Sequence, residues 1–361
     1  MDMEVTFLIG NGFDLNLGLC TKYTDFYPHY IDDSRFDSDD PAVRSFKQLL
    51  RRGGDYDRWA DFEAALGEHT TEPPLNEADS LRRCLQHFKR CFAQYLREED
   101  RHINFEACGA EIARRFVSDL YSHLIYLEPQ ACRRIQTCLP AEKLTHYNIL
   151  DFNYTTVIDR LISDYYDPDD HRDEHLRELI HVHGTYDSGM LIGLDNIGQV
   201  ANPDLFADSR RQRLLLKPLL NQQSGLGSDL AARECIDRSD EICIFGMSLG
   251  KTDAVWWERI GQWLQRQSYR QLLIFSRKTG LDPLFWDDIL DCQESVQDLF
   301  FSRAGLDTDL WDRLREQIYV PLNAGIFHLE PVFGRYPHSF RLDPTPHLEP
   351  MLLSQQKGAP L

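Results

Sequence analysis

Glu4-Val5-Thr6-Phe7-Leu8-Ile9-Gly10-Asn11-Gly12-Phe13-Asp14 decides the fold. An apolar, β-prone run stops at two glycines one residue apart, and a helical pattern (TKYTDFYPHYI) follows from about Thr21. Glycine tolerates positive φ and lets a ligand come close to the backbone. A helix after such a turn offers amide donors to a phosphate. As a dinucleotide fingerprint the stretch is incomplete, because Leu15 stands where G-x-G-x-x-G needs its third glycine. By itself it also reads as a tight strand-to-helix turn.

Further β-like runs follow at wide intervals: Thr145 to Phe152, Leu179 to Val182, Met190 to Leu194, Glu241 to Phe245 and Gln271 to Phe275. Most lead into polar or glycine residues and then a helical pattern. That alternation predicts an α/β, Rossmann-like fold with an open, mostly parallel sheet and helices on both faces. Between the first two strands, residues 76–100 place Leu81, Leu85, Phe88, Phe92 and Tyr95 on one helical stripe, and a second helical stretch runs from about 105 to 126. Residues 1–35 and 141–280 are read as the α/β core, 36–140 as a helical insertion, and 281–361 as a C-terminal extension. The extension ends proline-rich and is expected to be irregular.

The 361 residues carry 39 Lys and Arg against 58 Asp and Glu, a net charge of −19. Such a surface repels phosphate backbones and argues against a nucleic-acid partner. The nine cysteines are odd in number and contain no C-x-x-C pair, which argues against a disulfide framework and a structural zinc site. Asp2 and Glu4 replace the basic start of a signal peptide, and no apolar run is long enough to span a bilayer. A cytoplasmic protein without a membrane partner is expected.

Three later stretches also sit at or just past predicted strand ends, the edge where open α/β sheets bind ligands. In Asp151-Phe152-Asn153-Tyr154-Thr155-Thr156, Asn153 follows a strand and Thr155 or Thr156 is placed to cap the next helix. In His181-Val182-His183-Gly184, two histidines two apart in a strand share a face. They offer a metal pair, a general base, or two structural histidines. In Phe245-Gly246-Met247-Ser248-Leu249-Gly250-Lys251-Thr252-Asp253, a strand breaks at glycine, the Ser248 backbone is exposed, and Asp253 sits where a helix cap belongs. Trp256 and Trp257 have core spacing. The G-x-S-x-G of Gly246 to Gly250 lacks the following histidine of a nucleophile elbow, which argues against a serine hydrolase.

The ordered set LIGNGFDLNLGL, FNYT, HVHG and IFGMSLGKTD resembles the AbiH family of bacteriophage abortive-infection proteins. That family in turn resembles a distant branch of the sirtuin-like NAD-binding fold. The resemblance implies that Gly10, Asn11, Gly12, Phe13 and Asp14, with Thr155, Gly184, Gly246, Ser248 and Asp253, line a dinucleotide. It implies that Asn153 lies at the nicotinamide ribose and that His183 is the catalytic histidine before glycine. Thr155 stands where sirtuin-like proteins often carry an aspartate, and the zinc-binding cysteine pairs of lysine deacylases are missing.

The activity implied is cleavage of NAD to nicotinamide and ADP-ribose in the infected cell, with Asn153 and His183 as catalytic residues and no metal. The alternative is a non-catalytic nucleotide-binding sensor; a nuclease would need clustered carboxylates and a divalent ion. An enzyme that empties the NAD pool needs restraint at rest. A homo-oligomer or a partner defence protein acting through residues 36–140 or the tail is therefore expected.

Overall fold

The computed structural model describes residues 2–52, 59–138, 144–165, 175–224, 227–282 and 284–329. Six strands form one all-parallel sheet: β1 (Met3–Ile9), β2 (Thr145–Asp151), β3 (Leu176–His181), β4 (Glu241–Phe245), β5 (Gln271–Phe275) and β6 (Ile318–Tyr319). Their order is β3-β2-β1-β4-β5-β6, that of doubly wound dinucleotide-binding sheets. The chain reverses direction across the sheet between β1 and β4, so the ligand crevice of such folds falls there.

Strand periodicity divides the core in two. Val5, Phe7 and Ile9 face one side with Ile149, Cys243, Phe245 and Leu273. Helices α1 (Gly12–Asn16), α6 (Phe105–Tyr121) and α8 (Val157–Tyr165) supply residues to that cluster. Leu8 faces the other side with Leu150, Ile242, Ile244 and Ile274, covered by α11 (Ser228–Arg238), α12 (Ala254–Arg266) and α13 (Trp286–Arg303). Trp256 and Trp257 of α12 are buried there, as their spacing predicts, and Trp263 joins them.

A third core lies outside the sheet. It joins α2 (Tyr23–Asp32), α3 (Pro41–Arg51), α4 (Phe62–Glu68) and α5 (Ala78–Asp100). The predicted stripe of α5 is buried throughout, and Phe62 stacks on Phe88 with ring centroids 4.0 Å apart. The helical region thus divides differently from the sequence reading. Helix α2 belongs to the separate helical core, whereas α6 is a sheet-covering helix, and Ile135 of α7 (Pro129–Cys138) joins it.

Two further expectations are corrected. Met190–Leu194 is not a strand, because its amides go elsewhere: Leu191 N–H donates to the His183 carbonyl and Gly193 N–H to the Glu63 carboxylate. Ile192 and Leu194 pack into the helical core. The segment after residue 280 is not irregular throughout. Helices α13 and α14 (Trp311–Arg315) lead to β6, which pairs with β5. A two-residue strand is too short to leave a period in the sequence. Residues 330–361 of the extension lie outside the described residues.

The glycines at the crevice have a steric role that can be tested. A Cβ on Gly12 would lie 2.5 Å from the Gly246 Cα, whereas Gly280, at φ +79, has open space around it. Gly12→Ala is expected to cost about 1–3 kcal/mol by overpacking, and Gly280→Ala about 1 kcal/mol by backbone strain alone. Denaturation midpoints of the two variants check this; equal losses would refute the steric role.

Candidate functional site

Because the strands are parallel, the loops after β1, β2, β3 and β4 share one edge of the sheet. The close approach that Gly10 and Gly12 permit is made to the neighbouring loop. Gly10 N–H donates to the Phe245 carbonyl and Gly12 N–H to the Gly246 carbonyl, each at 2.9 Å. Gly246 adopts φ +69, and a Cβ there would meet the Gly12 Cα at 2.9 Å. The loops of β1 and β4 therefore close on each other at the point where the strand order reverses. Asn11 Oδ1 accepts from the Thr21 hydroxyl at 2.5 Å, tying the turn to the chain before α2. Helix α2 itself begins at Tyr23, and the Asp25 carboxylate accepts from Lys22 N–H. The Phe13 side chain, expected at a dinucleotide, is fully buried and edge-on to Phe116 and Phe327, because α1 turns it toward the sheet core.

The loop after β2 builds a buried acidic group. Asp14 accepts from the Thr155 hydroxyl at 2.9 Å, while its Oδ1 is buried without a partner. Thr155 thus lies beside a carboxylate supplied by the β1 loop. Burial, reinforced by Asp151, pushes the Asp14 carboxyl well above its usual range. Asp151, which ends β2, accepts from Asn153 N–H at 2.9 Å and lies 3.4 Å from His181 Nδ1. Burial raises its pKa to about 7 despite that histidine. The Asn153 side chain is 3 % exposed; neither its Nδ2 nor its Oδ1 makes a well-formed hydrogen bond, and its carboxamide acts only weakly on the neighbouring Asp151 carboxyl. Thr156 does not cap α8 with its hydroxyl; it donates to Asp100 at 2.8 Å, and the Tyr186 hydroxyl donates to the same carboxylate oxygen.

The two histidines do not converge. Strand β3 ends at His181, which pairs with Asp159 of α8, and the chain then turns. Gly184, at φ +70, passes so close to Gly189 that a Cβ would lie 2.2 Å from its carbonyl oxygen. His183 is thereby placed across the sheet edge, with Nε2 3.7 Å from Asp253 Oδ1. Asp253 does not cap α12. It accepts instead from Lys217 Nζ at 3.2 Å.

Lys217, the first residue of α10 (Lys217–Ser224), which follows α9 (Ser209–Gln212), is the centre of a second buried group. Its ammonium donates to Glu63 of α4 at 3.0 Å and to the Thr252 carbonyl at 2.8 Å, and it lies 3.6 Å from Asp195. Burial opposes its charge, yet Asp253, Glu63 and Asp195 hold it protonated above its ordinary range. Burial likewise disfavours an ionised Asp253, but Lys217 outweighs it and keeps that carboxyl low. Glu63 is raised by burial, and Asp195 is raised from 3.8 to about 7 by the same cause. His183 is pushed down to about 3, first by burial and then by the Lys217 ammonium, so its imidazole is neutral. The Tyr154 hydroxyl donates to Glu63 and to the Leu191 carbonyl, bridging the β2 loop to this group.

Asn153, Thr155, Asp14, His183, Gly184 and Asp253 therefore gather at one edge, while Ser248 is exposed and Phe13 belongs to the core. A groove of about 1020 Å³, lined by Arg133, Arg134, Gln271, Arg313 and Gln317 among others, opens where β5 and β6 begin and shares no residue with this edge. The buried edge combines a neutral imidazole, a weakly bonded carboxamide and two carboxyls, Asp151 and Asp195, poised near neutrality, groups suited to proton transfer and polar ligand contacts.

The family model described as bacteriophage abortive infection AbiH matches residues 6–275, from β1 through β5. The chain belongs to the AbiH family. Its coarse role is accordingly antiphage defence by abortive infection. No curated protein matches this AbiH chain.

The sequence reading missed Lys217, Glu63, Asp195, Asp151 and Asp100 in the AbiH site. Lys217 and Glu63 did leave a signal: each is a charge within an apolar pattern, Leu214-Leu215-Leu216-Lys217 and Phe62-Glu63-Ala64-Ala65-Leu66. Such interruptions mark buried charges that need partners.

Asp195 allows a pH test. Between about pH 4 and 7 the folded protein retains a proton that the unfolded chain has lost, so stability falls as pH rises through that window. Asp195→Asn is expected to make this decline shallower, by at most about 1.4 kcal/mol per pH unit. Denaturation series at several pH values check it; an unchanged slope would show that Asp195 titrates normally.

Proposed function

We propose that this AbiH protein cleaves NAD to nicotinamide and ADP-ribose, and that the closed arrangement is its resting state. The observation that carries the reading is Asn153, buried at the sheet edge with no well-formed hydrogen bond to its donor or its acceptor and only a weak interaction with Asp151. Buried polar groups are almost always satisfied, so a weakly bonded carboxamide beside a sheet edge of dinucleotide-binding order is what a polar ligand would complete. The resemblance of the motifs to those of sirtuin-like proteins, as read from the sequence, points the same way.

In this reading the C1′–nicotinamide bond breaks heterolytically, and the pyridinium nitrogen takes the electron pair and leaves as neutral nicotinamide. Water adds to C1′ and gives up a proton. Asn153 holds a ribose hydroxyl or the attacking water, and His183 accepts the proton and passes it to solvent. Asp14, beside Thr155, can favour the developing positive charge, in place of the aspartate that position 155 lacks, only once opening of the site relieves the burial that raises its carboxyl. The chemistry asks for no metal.

A histidine held near pKa 3 is a poor base for this task. Its environment supplies the restraint that a self-depleting enzyme requires. Glu63 from α4 fixes Lys217, and Lys217 sits against Asp253 beside His183. Displacing α4, through a second copy or a partner defence protein, would let water reach His183 and return its pKa toward the ordinary range. The same burial also favours a second reading, a nucleotide-binding sensor without turnover.

The test follows nicotinamide and ADP-ribose by chromatography after incubation of purified protein with NAD. Glu63→Gln is expected to release nicotinamide at least about tenfold faster than wild type, a change of the order of 1.4 kcal/mol in barrier. Adding His183→Ala or Asn153→Ala in that background is expected to lower the rate by about a hundredfold or more. An undiminished rate with His183→Ala would remove that residue from the chemistry. NAD binding by calorimetry with no product from any variant would establish the sensor instead.

A further inference from the structure

A separate buried cluster lies at the opposite end of the sheet from the AbiH motifs. Glu241 and Cys243, two apart at the start of β4, point to the same face, where His123 from the turn after α6 meets them. His123 is 3 % exposed, and Glu241 and Cys243 are fully buried. His123 Nε2, a Glu241 carboxylate oxygen and Cys243 Sγ all lie within 4.8 Å of one another. We propose that these three side chains form a structural Zn²⁺ site.

Four observations carry the assignment. The donor set of one imidazole nitrogen, one carboxylate and one thiolate is what Zn²⁺ takes. His123 Nδ1 lies 2.8 Å from the Leu120 carbonyl, to which it donates, leaving Nε2 as the ligand atom. A backbone carbonyl on the other ring nitrogen is the usual support of a metal-bound histidine. Glu241 Oε2 is buried with no hydrogen-bond partner and is available as a fourth donor. Finally, one carboxylate, one thiolate and a neutral imidazole would neutralise a bound Zn²⁺, as a core in which the rings of Phe7 and Tyr147 lie against His123 requires.

Binding would take Cys243 as its thiolate and so release the thiol proton. The site would pin the turn after α6 to the centre of the sheet. It lay hidden from the sequence because its ligands come from a short turn and one strand, without the C-x-x-C spacing by which zinc sites are recognised.

The test uses the full chain, stripped with a chelator and titrated with Zn²⁺ or Co²⁺. One metal per chain is expected, with a higher Tm in the Zn²⁺ form than in the stripped protein. A thiolate-to-Co²⁺ charge-transfer band is expected in wild type and not in Cys243→Ser. Affinity is expected to rise with pH, since the metal displaces the Cys243 proton. Wild-type protein that takes up no metal and shows no Zn²⁺-dependent Tm would overturn the proposal without recourse to any variant. A band that persists in Cys243→Ser would overturn it as well, by assigning the metal to another cysteine.

Discussion

The ammonium of Lys217 holds together three parts of this molecule that are distant in sequence. Glu63 brings the helical core, Asp195 the long connection between β3 and β4, and Asp253 the loop after β4. A single cation among three carboxyls would be costly to bury were they all ionised, and the environment answers by raising Glu63 and Asp195 while keeping Asp253 low. The proton distribution in this group is thus part of the fold. It sets the electrostatic surroundings of His183 and joins the helical core to the sheet edge where the motifs lie.

The sheet was legible because its strands are central and doubly buried. Val5 to Ile9, Glu241 to Phe245 and Gln271 to Phe275 are short, apolar and bounded by polar or glycine residues, and all three coincide closely with strands. The stripe of α5 was legible for the analogous helical reason. Met190 to Leu194 has the same apolar composition but packs on helices, and composition alone does not say which surface an apolar run will cover. The short strand β6 left no pattern at all.

The site was legible only as a set of loops. The opening glycines were expected to admit a ligand; the close approach present is that of Gly12 to Gly246, a pairing across 234 residues that no local pattern encodes. The same holds for Asp253, whose position before a helix suggested a cap and whose carboxylate instead answers Lys217. Phe13 and Asp14, adjacent in sequence, go to different fates: one to the apolar core, the other to a polar bond with Thr155.

The position of β1 bears on how the molecule is made. The first strand of the chain lies in the middle of the sheet, with β2 on one side and β4 on the other. Val5 pairs in register with Glu241 and Met3 with Thr145. During synthesis, one flank of β1 waits for the second strand and the other for roughly two thirds of the chain, and pairings so distant in sequence form slowly. The helical core of α2 to α5 consists largely of contacts nearer in sequence and emerges earlier. The crevice between β1 and β4 is consequently among the last features to exist on a nascent chain, and a polypeptide interrupted before residue 241 carries the opening glycine motif but no sheet edge on which it can act.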